Sequence, residues 1–288
     1  MVTHEDIELR SGGRPLRVTL SSPSGSAAPG QIALVIPGSG PIDVTGRAAG
    51  REAPETGSPY AQWADALCAK GLRVLRYRKS FIDTTGAAGL IRSLQDEYRD
   101  DLAAVRQYAA TCGGSDEVVA FAHSLGALAA LSLPELAFAA VSCIAPPVEK
   151  LSASFRRQLT EAGRADDAAA VEKVLSEPSA DADRQIAGAH LAYWRDVDAR
   201  DVFGELQRHR SALPRVLFAH GTADPLLPIA LVREARAQRR GAEQREFPDW
   251  VEVVDGDHFL LTPADYAAGT WQALDRLLAW VRASSPHE

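Results

Sequence analysis

The sequence predicts an α/β protein with a mostly parallel, doubly wound sheet. From residue 32 onward, short apolar runs alternate with longer amphipathic stretches, which is the pattern of successive strand–helix units. Clusters of Gly and Pro separate these units. With 288 residues, of which 46% are apolar and 24% charged, the chain has the size of one large domain or of a domain with an insertion.

The first half of the chain begins with an antiparallel hairpin and continues as strand–helix units. Gly12-Gly13 predicts the hairpin turn, and Gly71 ends a helix as its C-terminal cap. Because alternating strands and helices place the strands parallel, we expect helices on both faces of the sheet. Strands are predicted over Asp6–Arg10, Leu16–Leu20, Ile32–Ile36, Leu72–Tyr77, Glu117–Ala122 and Phe138–Ala145, and helices over Tyr60–Lys70, Leu94–Thr111 and Leu125–Leu133.

The alternation stops between residues 148 and 212, where the chain becomes charged, rich in Ala and Arg, and helical in pattern without a defensible strand. We expect residues 1–147 and 213–288 to form the core. Residues 148–212 would be a helical lid or cap insertion beside the carboxyl ends of the strands, or else ordinary peripheral helices. The alternation resumes with strand Arg215–His220, helix Ile229–Arg239, strand Arg245–Val254 with Pro248 at an edge or bulge, and helix Pro263–Ala283.

Charge and composition limit the classes of partner and the cellular compartment that we expect for this protein. A net charge of −7 and a pI near 5.6 argue against nucleic acid or an anionic membrane as the main partner. There is no apolar run of membrane-spanning length and no signal-peptide pattern, so we expect a cytoplasmic protein. Cys68, Cys112 and Cys143 have unrelated spacings and fit free thiols in a reducing compartment. Abundant Ala and Arg and the absence of Asn suggest a GC-rich bacterial genome, and a homodimer is left open.

The most informative motif is a serine between a strand and a helix. Apolar strand formers lead into His123-Ser124-Leu125-Gly126, and an Ala- and Leu-rich helical stretch follows. This is the form of the G-x-S-x-G nucleophile elbow, which needs small residues on both sides of the Ser. Ala122 stands where the first Gly usually lies. Ser124 is therefore the candidate nucleophile, beside helix N–H groups that can stabilise an oxyanion.

A nucleophilic serine needs a general base and an acid that orients the base. Asp224 follows strand Arg215–His220, and His258 follows the next strand, so the chain order is Ser, acid, His. Alternatively, Asp224 caps a turn and His258 is a solvated loop residue. Asp255 and Asp257 are rival acids that crowd His258 on its own loop. The other histidines compete poorly: His4, His123, His190, His209, His220 and His287.

A second oxyanion donor is expected from the loop after the early buried strand. There the sequence reads Pro37-Gly38-Ser39-Gly40-Pro41. Glycines allow the backbone to approach a substrate and direct an N–H at the developing charge. We assign this donor to the Ser39 N–H, with Gly40 as the near alternative and a simple tight turn as the structural interpretation. A phosphate loop is disfavoured, since no Gly-Lys-Ser/Thr follows.

These motifs together resemble the α/β-hydrolase superfamily over nearly the whole chain. Within it, residues 37–43 look like the Gly-Ser-Gly-Pro-x-Asp stretch of bacterial serine esterases and the related serine-aminopeptidase-like group. The resemblance implies a doubly wound sheet of about eight strands. It also implies the roles of five residues: Ser124 as nucleophile, Asp224 as acid, His258 as base, and the Leu125 and Ser39 amides as oxyanion donors.

Two loops depart from that group. Val44-Thr45-Gly46-Arg47 replaces Arg-x-Gly-Asn, and Tyr77-Arg78-Lys79-Ser80-Phe81 replaces Tyr-Asp-Lys-Arg-Gly. Arg78 or Lys79 would recruit an anionic acyl group, or they are solvated or structural ion-pair residues, which we favour.

The expected function is hydrolysis of a carboxylic ester or thioester through an acyl-enzyme, on a small-molecule acyl substrate, without a metal or organic cofactor. Tyr193 and Trp194, an aromatic pair in a charged insertion, are the candidate substrate-binding residues. The same site would serve a peptidase, an acyltransferase or a carbon–carbon hydrolase. From a different class, a non-catalytic ligand-binding homologue is the alternative.

Overall fold

The computed structural model describes residues 1–24, 31–47, 57–83, 91–113, 117–177, 180–186, 189–213, 215–242 and 248–282. Its strands are β1 (Val2–Ser11), β2 (Arg14–Pro23), β3 (Ile32–Ile36), β4 (Arg73–Arg78), β5 (Val118–His123), β6 (Ala140–Ile144), β7 (Gln185–Ile186), β8 (Ala189–His190), β9 (Val216–Gly221) and β10 (Asp249–Val253). Its helices are α1 (Pro59–Ala69), α2 (Leu94–Gly113), α3 (Leu125–Ser132), α4 (Leu151–Glu161), α5 (Ala165–Ser176), α6 (Leu191–Asp198), α7 (Val202–Arg208), α8 (Ile229–Ala242), α9 (Pro263–Ala268) and α10 (Ala273–Arg282).

Eight strands form one sheet in the order β1-β2-β4-β3-β5-β6-β9-β10. The hairpin β1–β2 is antiparallel and joins β4 antiparallel, while the remaining neighbours pair in parallel. The predicted α/β class with a mostly parallel sheet is confirmed. The end of β3 pairs beside the end of β5, Ile36 opposite Ala122, so the loops that follow both strands meet at one edge. At the outer edge, β1 exposes most of its side chains.

The sheet has an apolar core on each face. Alternate residues of β3 point to opposite sides, Leu34 and Ile36 into one core and Ala33 and Val35 into the other. The first core packs against α2, α3 and the insertion, and the second against α1 and α10. Helices therefore cover both faces, as a doubly wound sheet requires.

Two sequence predictions about elements are wrong. The helix expected over Pro263–Ala283 is two helices, because Gly269 adopts a left-handed φ of 63° and ends α9; Ala283 lies outside the described residues. The insertion is not wholly helical, since β7 and β8 pair antiparallel. β10 is an edge strand of the sheet, in agreement with the edge position expected for Pro248, which directly precedes it; residues 245–247 lie outside the described part.

None of the described helices combines the length and the apolar character needed to cross a bilayer.

Candidate active site

Ser124 lies at a sharp corner between β5 and α3. Its φ of 52° and ψ of −124° lie outside the regions that residues other than glycine favour. Strain of this kind is concentrated at functional sites. The Ser124 N–H donates to the Ile144 carbonyl at 2.8 Å and so ties the corner to the sheet. Ala122 is fully buried and has no positive φ, which explains why alanine is accepted in place of the usual glycine.

Asp224 and His258 form a hydrogen-bonded pair on the loops that follow β9 and β10. The distance from His258 Nδ1 to Asp224 Oδ2 is 2.7 Å. The other carboxylate oxygen, Oδ1, accepts the N–H groups of Leu226 at 2.8 Å and Leu227 at 2.9 Å. Burial alone would raise the pKa of the Asp224 carboxyl, but the hydrogen bonds from His258 and the two amides outweigh it and hold this pKa below its ordinary value. Asp224 is thus an ionised, fixed acceptor.

The loops that carry the acid and the histidine are in backbone contact. A Cβ at Gly221 would lie 2.0 Å from the Gly256 carbonyl oxygen and 2.3 Å from that of Asp257, so only glycine fits there. The Ala223 N–H also donates to the Gly256 carbonyl at 2.9 Å. The main chain therefore fixes Asp224 relative to His258.

Ser124 and His258 line one cavity of about 850 Å³. Its walls come from the loops at the carboxyl edge of the sheet and from the insertion, which contributes Leu151, Phe155, Tyr193 and Trp194. Of the hydrogen bonds that the described residues make, none joins Ser124 to His258. In enzymes without substrate this contact is often long and tightens in the complex.

A chain of hydrogen bonds connects the three loops of the site through His123. The His258 carbonyl can only accept, so His123 Nε2 donates to it at 3.1 Å, and Nδ1 must accept the Tyr60 hydroxyl at 2.7 Å. The Tyr60 oxygen in turn accepts the Gly38 N–H at 3.1 Å. Burial and the neighbouring His258 hold the pKa of His123 well below its ordinary value. The His123 ring is therefore neutral, which is the state that this series of hydrogen bonds requires.

The Gly-Ser-Gly loop, residues 38–40, is held at both of its glycines. The Gly38 N–H is bound by Tyr60, and the Gly40 N–H donates to Glu97 Oε1 at 3.1 Å. Among the described residues, the Ser39 N–H has no hydrogen-bond partner, and Ser39 lines the cavity. Gly40, the alternative donor in the sequence analysis, already has an acceptor.

Lys79 is a buried structural residue. Its ammonium is fully buried, pairs with Glu97 and donates to the Gly38 carbonyl at 2.6 Å and the Tyr98 hydroxyl at 3.0 Å. Burial lowers the pKa of Lys79, and the Glu97 carboxylate opposes that shift. All of these contacts are internal, which agrees with the structural ion-pair role that the sequence analysis favours for Lys79 over recruitment of an anionic acyl group.

Solved structures share this architecture over almost the full chain. Est1E from Butyrivibrio proteoclasticus matches with a TM-score of 0.59 at 15% identity, covering 96% of this chain and 98% of that one. The esterase domain of a Rhodothermus marinus protein gives 0.56 at 17%, covering 98% and 99%. A Pyrococcus furiosus esterase gives 0.60 at 14%, covering 97% and 91%. The chain has the α/β-hydrolase fold. No protein-family model and no curated protein sequence matches it.

Within this α/β-hydrolase fold, Tyr193 and Trp194 lie on α6 and both line the cavity. Their polar groups are engaged inside the protein: the Tyr193 hydroxyl donates to Glu97, and the Trp194 indole N–H donates to the Ile186 carbonyl at 3.0 Å. They therefore offer the cavity their apolar rings rather than hydrogen-bonding groups.

The remaining candidate residues have structural environments. His220 is buried, stacks on Trp250 at a centroid distance of 5.1 Å, and burial lowers its pKa to about 3. Asp257 accepts two main-chain N–H groups and the Tyr266 hydroxyl, so this rival acid is occupied, while Asp255 is exposed. Burial raises the pKa of Cys68 to about 12, which disfavours a reactive thiolate. In the described ranges, no group of three or more His, Cys, Asp or Glu side chains has the arrangement of metal ligands.

The sequence analysis did not find Tyr60, Glu97 and Tyr98. Tyr60 lies at the start of α1, and Glu97 and Tyr98 lie near the start of α2; each bonds to a residue far away in the sequence. One signal was present in the sequence: Glu97 and Tyr98 are adjacent near the beginning of a predicted amphipathic helix. In the structure both side chains are buried.

Proposed function

We propose that the protein is a serine hydrolase that cleaves carboxylic esters through an acyl-enzyme. The observation that carries this proposal is the 2.7 Å hydrogen bond from His258 Nδ1 to the buried Asp224 carboxylate, beside the same cavity as Ser124 on its strained corner. Asp224 fixes the tautomer of His258 with Nε2 unprotonated, which is the form that accepts a proton.

In the proposed reaction, Ser124 Oγ attacks the ester carbonyl carbon while His258 Nε2 takes the hydroxyl proton. The ionised Asp224 stabilises the imidazolium. The tetrahedral intermediate collapses, the bond to the alcohol oxygen breaks, and His258 returns its proton to that oxygen. Water, activated by His258, then attacks the acyl-enzyme, and the acid is released as Ser124 is regenerated.

Two main-chain amides would stabilise the oxyanion. Leu125 is the first residue of α3, and the first N–H groups of a helix have no acceptor within it. Ser39 carries the N–H that the described contacts of residues 38–40 leave without a partner. Donors placed in advance at a developing charge are typically worth about 100-fold or more in turnover each.

The cavity suits a neutral substrate with an apolar acyl or alcohol group. Phe81, Phe155, Trp194 and Phe259 contribute rings to its wall. The charged side chains that line it, Glu97 and Glu149, are carboxylates that pair with Lys79 and Arg157. Residues 148–212 would act as a cap that sets the shape of this space.

The test is labelling by a fluorophosphonate probe, read by mass spectrometry at Ser124, with Ser124→Ala as the matched control. We expect labelling of the wild type, no labelling and no ester turnover in the variant, and equal melting temperatures. Wild-type protein that is neither labelled nor active would leave a non-catalytic ligand-binding protein. A panel of p-nitrophenyl esters, acyl-thioesters and amino-acid anilides then distinguishes an esterase from a thioesterase or peptidase.

A further inference from the structure

Glu97 is a buried carboxylate directly under the Gly-Ser-Gly loop. It lies in the first turn of α2 and is 3% exposed. Its Oε1 accepts the Gly40 N–H at 3.1 Å and the Lys79 ammonium, and its Oε2 accepts the Tyr193 hydroxyl. One side chain thus holds a core lysine, the Gly-Ser-Gly loop and the insertion at the same time.

The Lys79 ammonium also fixes the Gly-Ser-Gly loop, as a hydrogen-bond donor where Glu97 is an acceptor. It donates to the Gly38 carbonyl at 2.6 Å, and the Tyr98 hydroxyl donates to the same carbonyl at 2.8 Å. The Glu97–Lys79 pair therefore binds an N–H at Gly40 and a C=O at Gly38. Ser39, between them, is left with an N–H directed by the conformation of its two neighbours.

Helix α6 of the insertion is attached to the same turn of α2 at a second point. Asp196 Oδ2 accepts the Leu94 N–H at 2.8 Å and so caps the beginning of α2. The two contacts lie one turn apart on α6, from Tyr193 to Glu97 and from Asp196 to Leu94. The insertion is therefore anchored through polar groups to the element that positions the Gly-Ser-Gly loop.

We infer that Glu97 and Tyr193 are positioning residues through which the insertion holds the Ser39 amide at the site of the oxyanion. This inference rests on the proposed function. Without the Tyr193 hydroxyl, Oε2 is a buried charged oxygen that lacks a donor, which is unfavourable. The carboxylate then reorients to recover a donor, and the Gly40 amide and the loop follow it. Tyr193 thus has two roles: its ring lines the cavity, and its hydroxyl positions the Gly-Ser-Gly loop through Glu97.

The decisive variant is Tyr193→Phe, which keeps the ring in the cavity wall and removes only the hydroxyl. Tyr108→Phe, at the other end of α2 and outside the cavity, is the matched control. We expect Tyr193→Phe to lower kcat about tenfold and to slow fluorophosphonate labelling by a similar factor, with KM within about twofold. Hydrogen exchange of the peptide that contains Gly40 should accelerate. Tyr108→Phe should change none of these quantities.

The outcomes separate this inference from the proposed function. Unchanged exchange at Gly40 in Tyr193→Phe overturns the inference, whatever the activity does. Unchanged kcat with altered KM or acyl preference also overturns it, because that result describes a cavity wall only. If the wild type is neither labelled nor active, the proposed function has failed, while the exchange measurement still decides whether Tyr193 holds the loop.

A second variant tests the same link from the other side. Glu97→Gln keeps an oxygen that accepts the Gly40 N–H but replaces the carboxylate that pairs with Lys79 by a neutral amide, so we expect a larger loss of kcat than for Tyr193→Phe. Adding Tyr193→Phe to Glu97→Gln should cause little further loss, because both changes break one connection. Fully additive losses would overturn the inference. If Glu97→Gln does not fold, Tyr193→Phe decides alone.

Discussion

At Gly126, the addition of a single methyl group should lower the activity strongly while the protein remains folded. It is the second residue of α3, and a Cβ there would lie 2.4 Å from the Pro37 carbonyl oxygen and 2.8 Å from that of Ile36. Real Cβ atoms essentially never approach within 3.0 Å, so Gly126→Ala requires the end of β3 to withdraw by about 0.6 Å. Pro37 leads directly into the Gly-Ser-Gly loop, and the proposed Ser39 donor would move with it.

The magnitude follows from this displacement. A misplacement of about 1 Å in a reacting group can cost about 100-fold, so we expect Gly126→Ala to lower kcat between about 10- and 100-fold with little change in KM. Overpacking of this kind costs about 1–3 kcal/mol, which lowers the melting temperature of a chain of this size by about 2–10 °C. The protein should remain folded at room temperature.

The assay is steady-state hydrolysis of a p-nitrophenyl ester, with thermal unfolding followed by circular dichroism. Ala122→Gly, on the other side of Ser124, is the matched control. It restores the usual motif and should cost only about 0.5–1 kcal/mol of stability, with kcat close to that of the wild type. Wild-type kcat and melting temperature in Gly126→Ala would refute the argument that close approach of β3 fixes the loop.

Three further predictions concern individual side chains. Asp224→Asn should lower kcat about 10⁴-fold while the fold persists, because the amide keeps the main-chain contacts but no longer fixes the tautomer of His258; a loss below tenfold would contradict the assignment. His220 has a folded pKa of about 3 against an ordinary 6.5, so folding loses up to about 1.4 kcal/mol per pH unit as the pH falls between these values. His220→Phe should remove that loss, so the melting temperature of the variant minus that of the wild type should increase when the pH is lowered from 7 to 5. A difference that does not change with pH would contradict the low pKa of His220. Trp194→Ala should shift the preference between short and long acyl esters; a uniform loss of kcat/KM with a lowered melting temperature would instead identify Trp194 as an anchor of the insertion.

The fold and the candidate triad could be predicted because their signals are local. Ser124, Asp224 and His258 each follow a run of strand formers, and the carboxyl ends of parallel strands meet at one edge. The proposed Ser39 donor was predicted for the same reason. The apolar runs of the central strands likewise gave the α/β class directly.

The residues that hold the site together could not be predicted, because their contacts are not local. Tyr60 bonds to His123, which is 63 positions away, and Tyr193 bonds to Glu97, which is 96 positions away. No periodicity in either segment records such a pairing. The break in the last helix was missed for a different reason: a glycine inside an amphipathic pattern is compatible with a helix, whereas here Gly269 adopts a left-handed conformation and ends α9.

The exposed edge strand β1 has a consequence for how copies of this chain meet. Ten residues long, it presents a row of main-chain groups that would otherwise be a template for adding strands from other molecules. The exposed acidic residues Glu5, Asp6 and Glu8 stand along it and outnumber the exposed Arg10, so two such edges would bring mainly carboxylates together. Aggregation by growth of the sheet is thereby opposed by charge at neutral pH, and it becomes easier when acid neutralises these groups.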